Sequence, residues 1–336
     1  MSRLGRRRVE LACLLLGGAI LGLTLWRIGV DGLARDLRLI GWGLAVVLLV
    51  ETANVACNTC GWALAFPAGE RTVSARRLLA ARLAGDGVNY LTPSATVGGE
   101  LLRVRLLGRQ VPLGVRWASV SVAKIGQSVA QALFVLLGLA LVLPRFTATA
   151  SWLGYLATGA GAVAVGAAFL WVLGRGVWAT LGDVLRGIRL GRILPTAWAQ
   201  PGRELDAALG RLGSWRASAS VACFVAGWAV GAAEIYLILA WVGGRVDWLT
   251  AIAVETGSVL IDGILFFVPA KLGTQEGGKV VLFAALGLNP ARGLTVGVVR
   301  RIRELTYAGL GLLALGCLSA RGPAAVMAGE GSSPRA

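Results

Sequence analysis

The chain of 336 residues is 56% hydrophobic and 15% charged, with a mean hydropathy of +0.73. Soluble domains lie near about 45–50% apolar and about 25% charged, which excludes an ordinary soluble fold, and no short alternating segments suggest a transmembrane barrel. The net charge of +16 would point to nucleic acid in a soluble protein, but here the arginines fall between apolar runs, where they orient the chain and meet anionic lipid headgroups; membrane lipids, not nucleic acid, are the expected partners.

The amino-terminal eight residues carry Arg3, Arg6, Arg7 and Arg8, and an apolar run follows from about Val9 to Trp26. No small-x-small cleavage site follows, so the run reads as an uncleaved first span. A second span is predicted from about Trp42 to Phe66. Its Glu51, Asn54 and Asn58 share one helical face, which in lipid must turn into a bundle.

The stretch 78–107 is too charged for a span, holding Arg82, Asp86, Asn89, Glu100, Arg103 and Arg105. Its centre, TPSATVGGELLRVR, places Pro93, Gly98 and Gly99 just before Glu100 and Arg103. Proline and glycine free backbone groups where water is scarce, and a re-entrant hairpin accommodates that better than a continuous helix. Spans follow at about Val115–Leu143, with Lys124, Gln127 and Gln131 on one face, and at about Trp152–Leu173. A polar, arginine-rich connection covers 174–214.

Spans resume at about Trp215–Val242 and Leu249–Pro269, the latter with Glu255 and Asp262 on one face. The run then ends in FFVPAKLGTQEGGK, where Pro269, Gly273, Gly277 and Gly278 surround Lys271, Gln275, Glu276 and Lys279. Charge at membrane depth is costly and reads as functional, so a second hairpin is predicted at about 268–288. A final helix runs from about Pro290 to Ala320 and contains Arg300, Arg301, Arg303 and Glu304. The tail 321–336, rich in small residues and proline, is expected to be disordered.

Orientation follows from basic residues. The segments 1–8, 67–116 and 174–216 hold 19 arginines, against 5 in the alternating loops 27–41, 144–150 and 243–248. The amino terminus is therefore expected in the cytoplasm, provided that 78–107 does not cross. The expected architecture is all-α and polytopic: about seven transmembrane helices and two re-entrant hairpins in two weakly repeated halves, forming one domain over 1–320. The repeat rests on Pro93-x5-Gly99-Glu100 and Pro269-x3-Gly273-x2-Glu276. Two such broken elements point to a binding site near the membrane midplane.

Several patterns carry less. Gly273-TQEG-Gly278-Lys279 matches G-x4-G-K, but Val280 replaces the magnesium-ligating hydroxyl and the context is a membrane segment, so nucleotide binding is rejected. Cys57-x-x-Cys60 lies inside an apolar helix, and all five cysteines read as small packing residues. The chain has no histidine, which removes the commonest proton relay and metal ligand. No metal, cofactor or catalytic residue is expected.

The motifs P-x4-GGE-x-x-R in the first half, and VPAKLGTQEGG followed by LNPARGLTVGVVRRIREL in the second, resemble the flippase-like family. That family comprises the transmembrane region of lysylphosphatidylglycerol synthase and its stand-alone relatives. The resemblance spans about residues 5–320, and the form P-A-x-L-G-x-Q-E-G-G with a later R-R-x-R-E is similar to a branch associated with hopanoid biosynthesis. It implies an inner-membrane protein of bacteria that binds a phospholipid or other polar-headed lipid and moves it between leaflets. The family pattern carries over to Pro93, Gly99, Glu100, Arg103, Pro269, Gly273, Gln275, Glu276, Arg300, Arg301 and Glu304. Lys271 and Lys279 fall where the family varies. An intramembrane lipid transferase using Glu100 or Glu276 as base, and a scaffold that docks a lipid-synthesis enzyme through 174–214, are the alternatives.

Overall fold

In lipid every backbone amide must find its partner within the segment, so long apolar runs fold as helices. The computed structural model describes residues 30–91, 97–146, 213–243, 246–264 and 273–327, with 160, 164, 206 and 207. The regular elements described are all helices: α1 (Val30–Ile40), α2 (Gly43–Leu64), α3 (Ala75–Leu91), α4 (Val97–Leu106), α5 (Leu113–Phe146), α6 (Ser214–Trp241), α7 (Trp248–Ile264), α8 (Thr274–Ala285) and α9 (Pro290–Met327). Three of them, α2, α5 and α6, are long and apolar enough to cross a membrane by length and composition. The first predicted span, most of 152–173, nearly all of 174–214 and the residues 328–336 lie outside the described residues.

Three features depart from expectation. The stretch 27–41, read as a loop, contains α1, an amphipathic helix that lies on α9 and buries Asp36. Thr295 Oγ1 donates to Asp36 Oδ2 at 2.8 Å, which gives that carboxylate its partner. The final helix continues to Met327, seven residues into the segment expected to be disordered. Finally, α7 is the outgoing arm of the second hairpin, so that hairpin begins well before 268.

Both hairpins are closed by antiparallel packing of their arms. In the first, the start of α3 meets the end of α4, where Arg77 Nε donates to the Leu106 carbonyl at 2.9 Å. Nearer the tip, Gly85 and Gly99 let the two backbones touch: a Cβ on Gly99 would strike the Gly85 carbonyl and the Asn89 side chain. In the second, Leu282 packs over Gly257 and Ile261 over Gly278, so α8 runs back along α7. Each pair of arms therefore enters and leaves on one face.

The two halves share an element order. A long helix (22 residues in α2, 28 in α6) precedes a 17-residue arm (α3, α7). A short returning arm (10 residues in α4, 12 in α8) precedes a very long helix (34 in α5, 38 in α9). Their first helices are antiparallel: the Trp241 ring packs on Gly43 and the Phe224 ring on Gly61. The halves consequently run in opposite directions, as in an inverted repeat. They also interlock, with α3 on α9 and α7 on α5.

Apolar side chains are divided between two ends. One cluster joins Trp62, Phe66, Leu78, Leu107, Val115 and Phe224; the other joins Val47, Ile235, Ile238, Val254, Phe283 and Val299. Each cluster seals the mouth of one hairpin. The polar residues of α2, α6 and α9 lie between them.

Candidate functional site

The first hairpin builds its charged centre from α3, α4 and α5. Arg82 Nε donates to Asp86 Oδ2 at 3.0 Å, and the other Asp86 oxygen accepts from Arg103. Arg103 Nη1 donates to Glu100 Oε2 at 2.7 Å, while Lys124 Nζ lies 3.7 Å from Glu100 Oε1. Asn89 Oδ1 accepts the Gly99 amide at 2.7 Å, which ties the first turn of α4 to α3. Arg103 also lies over the Trp62 ring, 5.8 Å from its centroid. Every strong charge in this cluster has an opposite charge beside it, as burial demands.

The second hairpin repeats the arrangement with different pairings. Glu276, 2% exposed, receives two bonds from Arg301, Nε at 2.8 Å and Nη2 at 3.1 Å. Such bidentate pairs are the strongest of the charge-assisted hydrogen bonds. Arg301 Nη1 donates to Tyr90 Oη at 2.6 Å, and Tyr90 belongs to α3. The second cluster thus reaches the tip of the first hairpin. Gln275 Nε2 donates to Glu304 Oε1 at 2.9 Å. Lys279 is buried in the same helix.

A chain of polar contacts crosses the bundle between the two apolar ends. Gln127 on α5 donates to Asn58, Asn58 to Asn54, and Asn54 to Glu51, at 3.3, 2.7 and 3.1 Å. Arg303 lies 3.1 Å from Glu51 and bonds Glu234 as well. Arg300 lies 3.7 Å from Glu234 and donates to Glu255 Oε2 at 2.6 Å and to the Gly231 carbonyl at 3.0 Å. Glu51 is the ninth residue of the 22-residue α2, which at about 1.5 Å per residue sets it near the middle of a span.

Of the residues singled out in the sequence, Glu100, Arg103 and Lys124 meet in the first cluster, and Gln275, Glu276, Lys279, Arg301 and Glu304 gather in the second. Glu51, Asn54, Glu255, Arg300 and Arg303 form the crossing chain. Asp262 sits on α7, and Gly98 and Gly277 occupy the first turns of the returning arms. Gly273 precedes α8 with φ +71°, a left-handed conformation suited to glycine. Pro93, Pro269 and Lys271 lie outside the described residues.

The structure adds Asp86, Arg82, Tyr90 and Glu234 to the site. Glu234 stands as the sole charged residue in the last 25 residues of α6, a signal visible from burial cost alone. Asp86 carries a register signal. It precedes Glu100 by 14 residues, as Asp262 precedes Glu276, and each glutamate is followed three residues later by a cation, Arg103 or Lys279. Lys124 and Arg301 are each the twelfth residue of the long helix that follows.

An all-helical membrane bundle with inverted halves, two folded-back arms and a charged interior is a multi-span membrane protein organised around a buried polar site. Residues 10–311 match the family model described as the lysylphosphatidylglycerol synthase TM region, and the chain belongs to that family. No curated protein and no solved structure matches it.

Proposed function

We propose that the protein binds the headgroup of a phospholipid or other polar-headed lipid between its two hairpins and lets it pass from one leaflet to the other. The observation that carries this reading is the Tyr90–Arg301–Glu276 link, which joins the charged centres of two hairpins opening on opposite faces. On this reading the polar interior replaces water around the headgroup during passage. A bare charge in hydrocarbon costs from about 3 kcal/mol to over 10 kcal/mol, and relieving about 3 kcal/mol speeds crossing about a hundredfold.

The proposed setting is the inner membrane of a bacterium, with the amino terminus and the mouth of the first hairpin in the cytoplasm. Membership of a lipid-synthase transmembrane family supports a lipid substrate. Translocation is favoured over acid–base chemistry because both candidate bases are engaged, Glu100 by Arg103 and Glu276 by Arg301. A carboxylate held by a guanidinium is a poor acceptor for a substrate proton.

Leaflet exchange of fluorescent lipids in proteoliposomes tests the proposal. The wild type is expected to exchange lipids at least tenfold faster than protein-free vesicles. The Arg103→Ala, Glu276→Gln double variant is expected to fall to within about twofold of the vesicle background. Equal exchange by both proteins would refute the reading.

A further inference from the structure

The chain of contacts that crosses the bundle does not balance its charges. Among the described residues three carboxylates, Glu51 on α2, Glu234 on α6 and Glu255 on α7, face two guanidiniums, Arg300 and Arg303 of α9. The second hairpin leaves that difference standing: Glu276 and Glu304 are offset in number by Arg301 and Lys279, and Asp262 near Lys279 is a further acid. The charged and titratable neighbours on other elements are engaged elsewhere. Lys124 of α5 lies against Glu100, Tyr90 of α3 bonds Arg301, and Asp36 of α1 accepts from Thr295. An excess negative charge is costly inside a membrane, and acids at that depth mark proton relays.

The geometry also shows where a proton fits. A single nitrogen, Arg303 Nη1, meets Oε2 of Glu51 and Oε2 of Glu234 together. Two carboxylates that share one site relieve their repulsion when one of them takes a proton. Asn54 donates to both oxygens of Glu51. Glu234, 1% exposed, keeps a buried Oε1 with no partner among the described residues. A hard metal cation needs several oxygens, whereas a proton needs one bare oxygen. The Nε atoms of Arg300 and Arg303 are also buried without an acceptor, so water can bridge these donors and Glu234 Oε1. Glu51 is the more accessible member of the pair.

We infer that Glu51 and Glu234 together carry one exchangeable proton, seated on Glu234 Oε1, and that its uptake and release drives lipid passage. This deepens the lipid-transport reading, and the coupling rests on it. The step is proton transfer alone. An O–H bond forms at Glu234 as hydronium gives up its proton, and it breaks when water takes the proton back. Loading neutralises one of the two carboxylates on Arg303 Nη1 and loosens the hold on that arginine. The other nitrogen of the same fork, Nη2, lies 3.7 Å from Glu304, and Glu304 accepts from Gln275 in the first turn of α8. The charge of the pair is thereby felt at the second hairpin.

Infrared spectroscopy of the full chain in lipid nanodiscs tests the proton, and proteoliposomes test the coupling. At neutral pH the wild type is expected to show a protonated-carboxyl band that Glu234→Gln lacks. Glu51→Gln is expected to lose the band as well, since two carboxylates then face two guanidiniums and Glu234 ionises. If one variant does not fold, the other decides. A wild type without such a band, or the same band in wild type and a folded variant, overturns the inference. In proteoliposomes a pH gradient of about two units, about a hundredfold in proton activity, is expected to raise net lipid movement by the wild type about fivefold in one direction, and a protonophore to abolish the gain. A response to a sodium gradient in its place, or to neither gradient, overturns the coupling. No lipid movement under any condition sinks the transport reading and the coupling with it, while the infrared band separately decides the proton site.

Discussion

Arg301 joins the charged centres of the two hairpins, since it bonds Glu276 and Tyr90 at once. Its removal leaves Glu276 charged, buried and without that partner, a loss of about 3–5 kcal/mol for buried pairs. Removal of the Tyr90 hydroxyl deletes its interhelical bonds to Arg301 and Glu304 of α9, each worth about 0.6 kcal/mol on average within membranes. Arg301→Ala is therefore expected to destabilise the detergent-solubilised protein several-fold more than Tyr90→Phe. Thermal unfolding of both variants checks this, and equal shifts would show that Glu276 does not rely on Arg301.

Much of the site was legible at residue scale because charge in an apolar run is conspicuous. Glu51, Glu255 and Arg300 through Glu304 all proved to lie in the interior network. What stayed hidden was pairing. Glu100 and Glu276 occupy matching places, yet Glu100 bonds a cation on its own helix while Glu276 bonds one on α9. That choice depends on how near α9 lies, which no local spacing records. The register of the repeat was also masked by glycines. Alignment on Gly99 and Gly273 gives unequal spacings, whereas Asp86 and Asp262 keep the same distance from their glutamates.

At the scale of elements, the hairpins hold their shape by backbone contact. A methyl group on Gly99 collides with the Gly85 carbonyl and Asn89, whereas one on Gly309 of α9 meets nothing within 4 Å. Gly99→Ala is expected to cost about 1–3 kcal/mol as an overpacked contact. Gly309→Ala is expected to be neutral or to stabilise by about 0.5–1 kcal/mol through the gain in helix preference. Unfolding midpoints of the two variants separate these outcomes; similar midpoints would mean that the arms part without cost. The arms themselves explain why the second hairpin was only half visible. Residues 249–269 are hydrophobic enough to resemble a span, and only the packing of α8 back along α7 reveals an outgoing arm. The helix α1 was missed for a different reason. At 11 residues it is too short to stand out by hydropathy, and its stability comes from resting on α9.

For the whole molecule, inversion of the halves makes a geometric prediction. The segment before α3 and the segment before α7 must open on opposite sides of the membrane. Single cysteines at Arg71 and Asp247, in a chain whose five native cysteines are replaced by alanine, are expected to react with an impermeant maleimide from opposite sides of oriented vesicles. Labelling from one side would contradict the inverted repeat. Tryptophans agree with this arrangement. Trp42, 91% exposed, and Trp248 lie at one end of the antiparallel α2–α6 pair, and exposed Trp215 at the other. Aromatic rings of this kind favour the two membrane–water interfaces.

Inversion also constrains how the halves have diverged. The mouth of the first hairpin is flanked by Arg71, Arg76, Arg77, Arg105 and Arg109; the mouth of the second has Asp247 on one side and Leu286, Gly287 and Leu288 on the other. On the orientation proposed here, a rule that keeps arginine in the cytoplasm forbids the second mouth from copying the first. Descendants of one duplicated segment would then have kept their interior acids in register while their loops were selected in opposite directions. Grafting the first mouth's arginines onto the second would give the chain two competing cytoplasmic ends, and topology itself would be the property that failed.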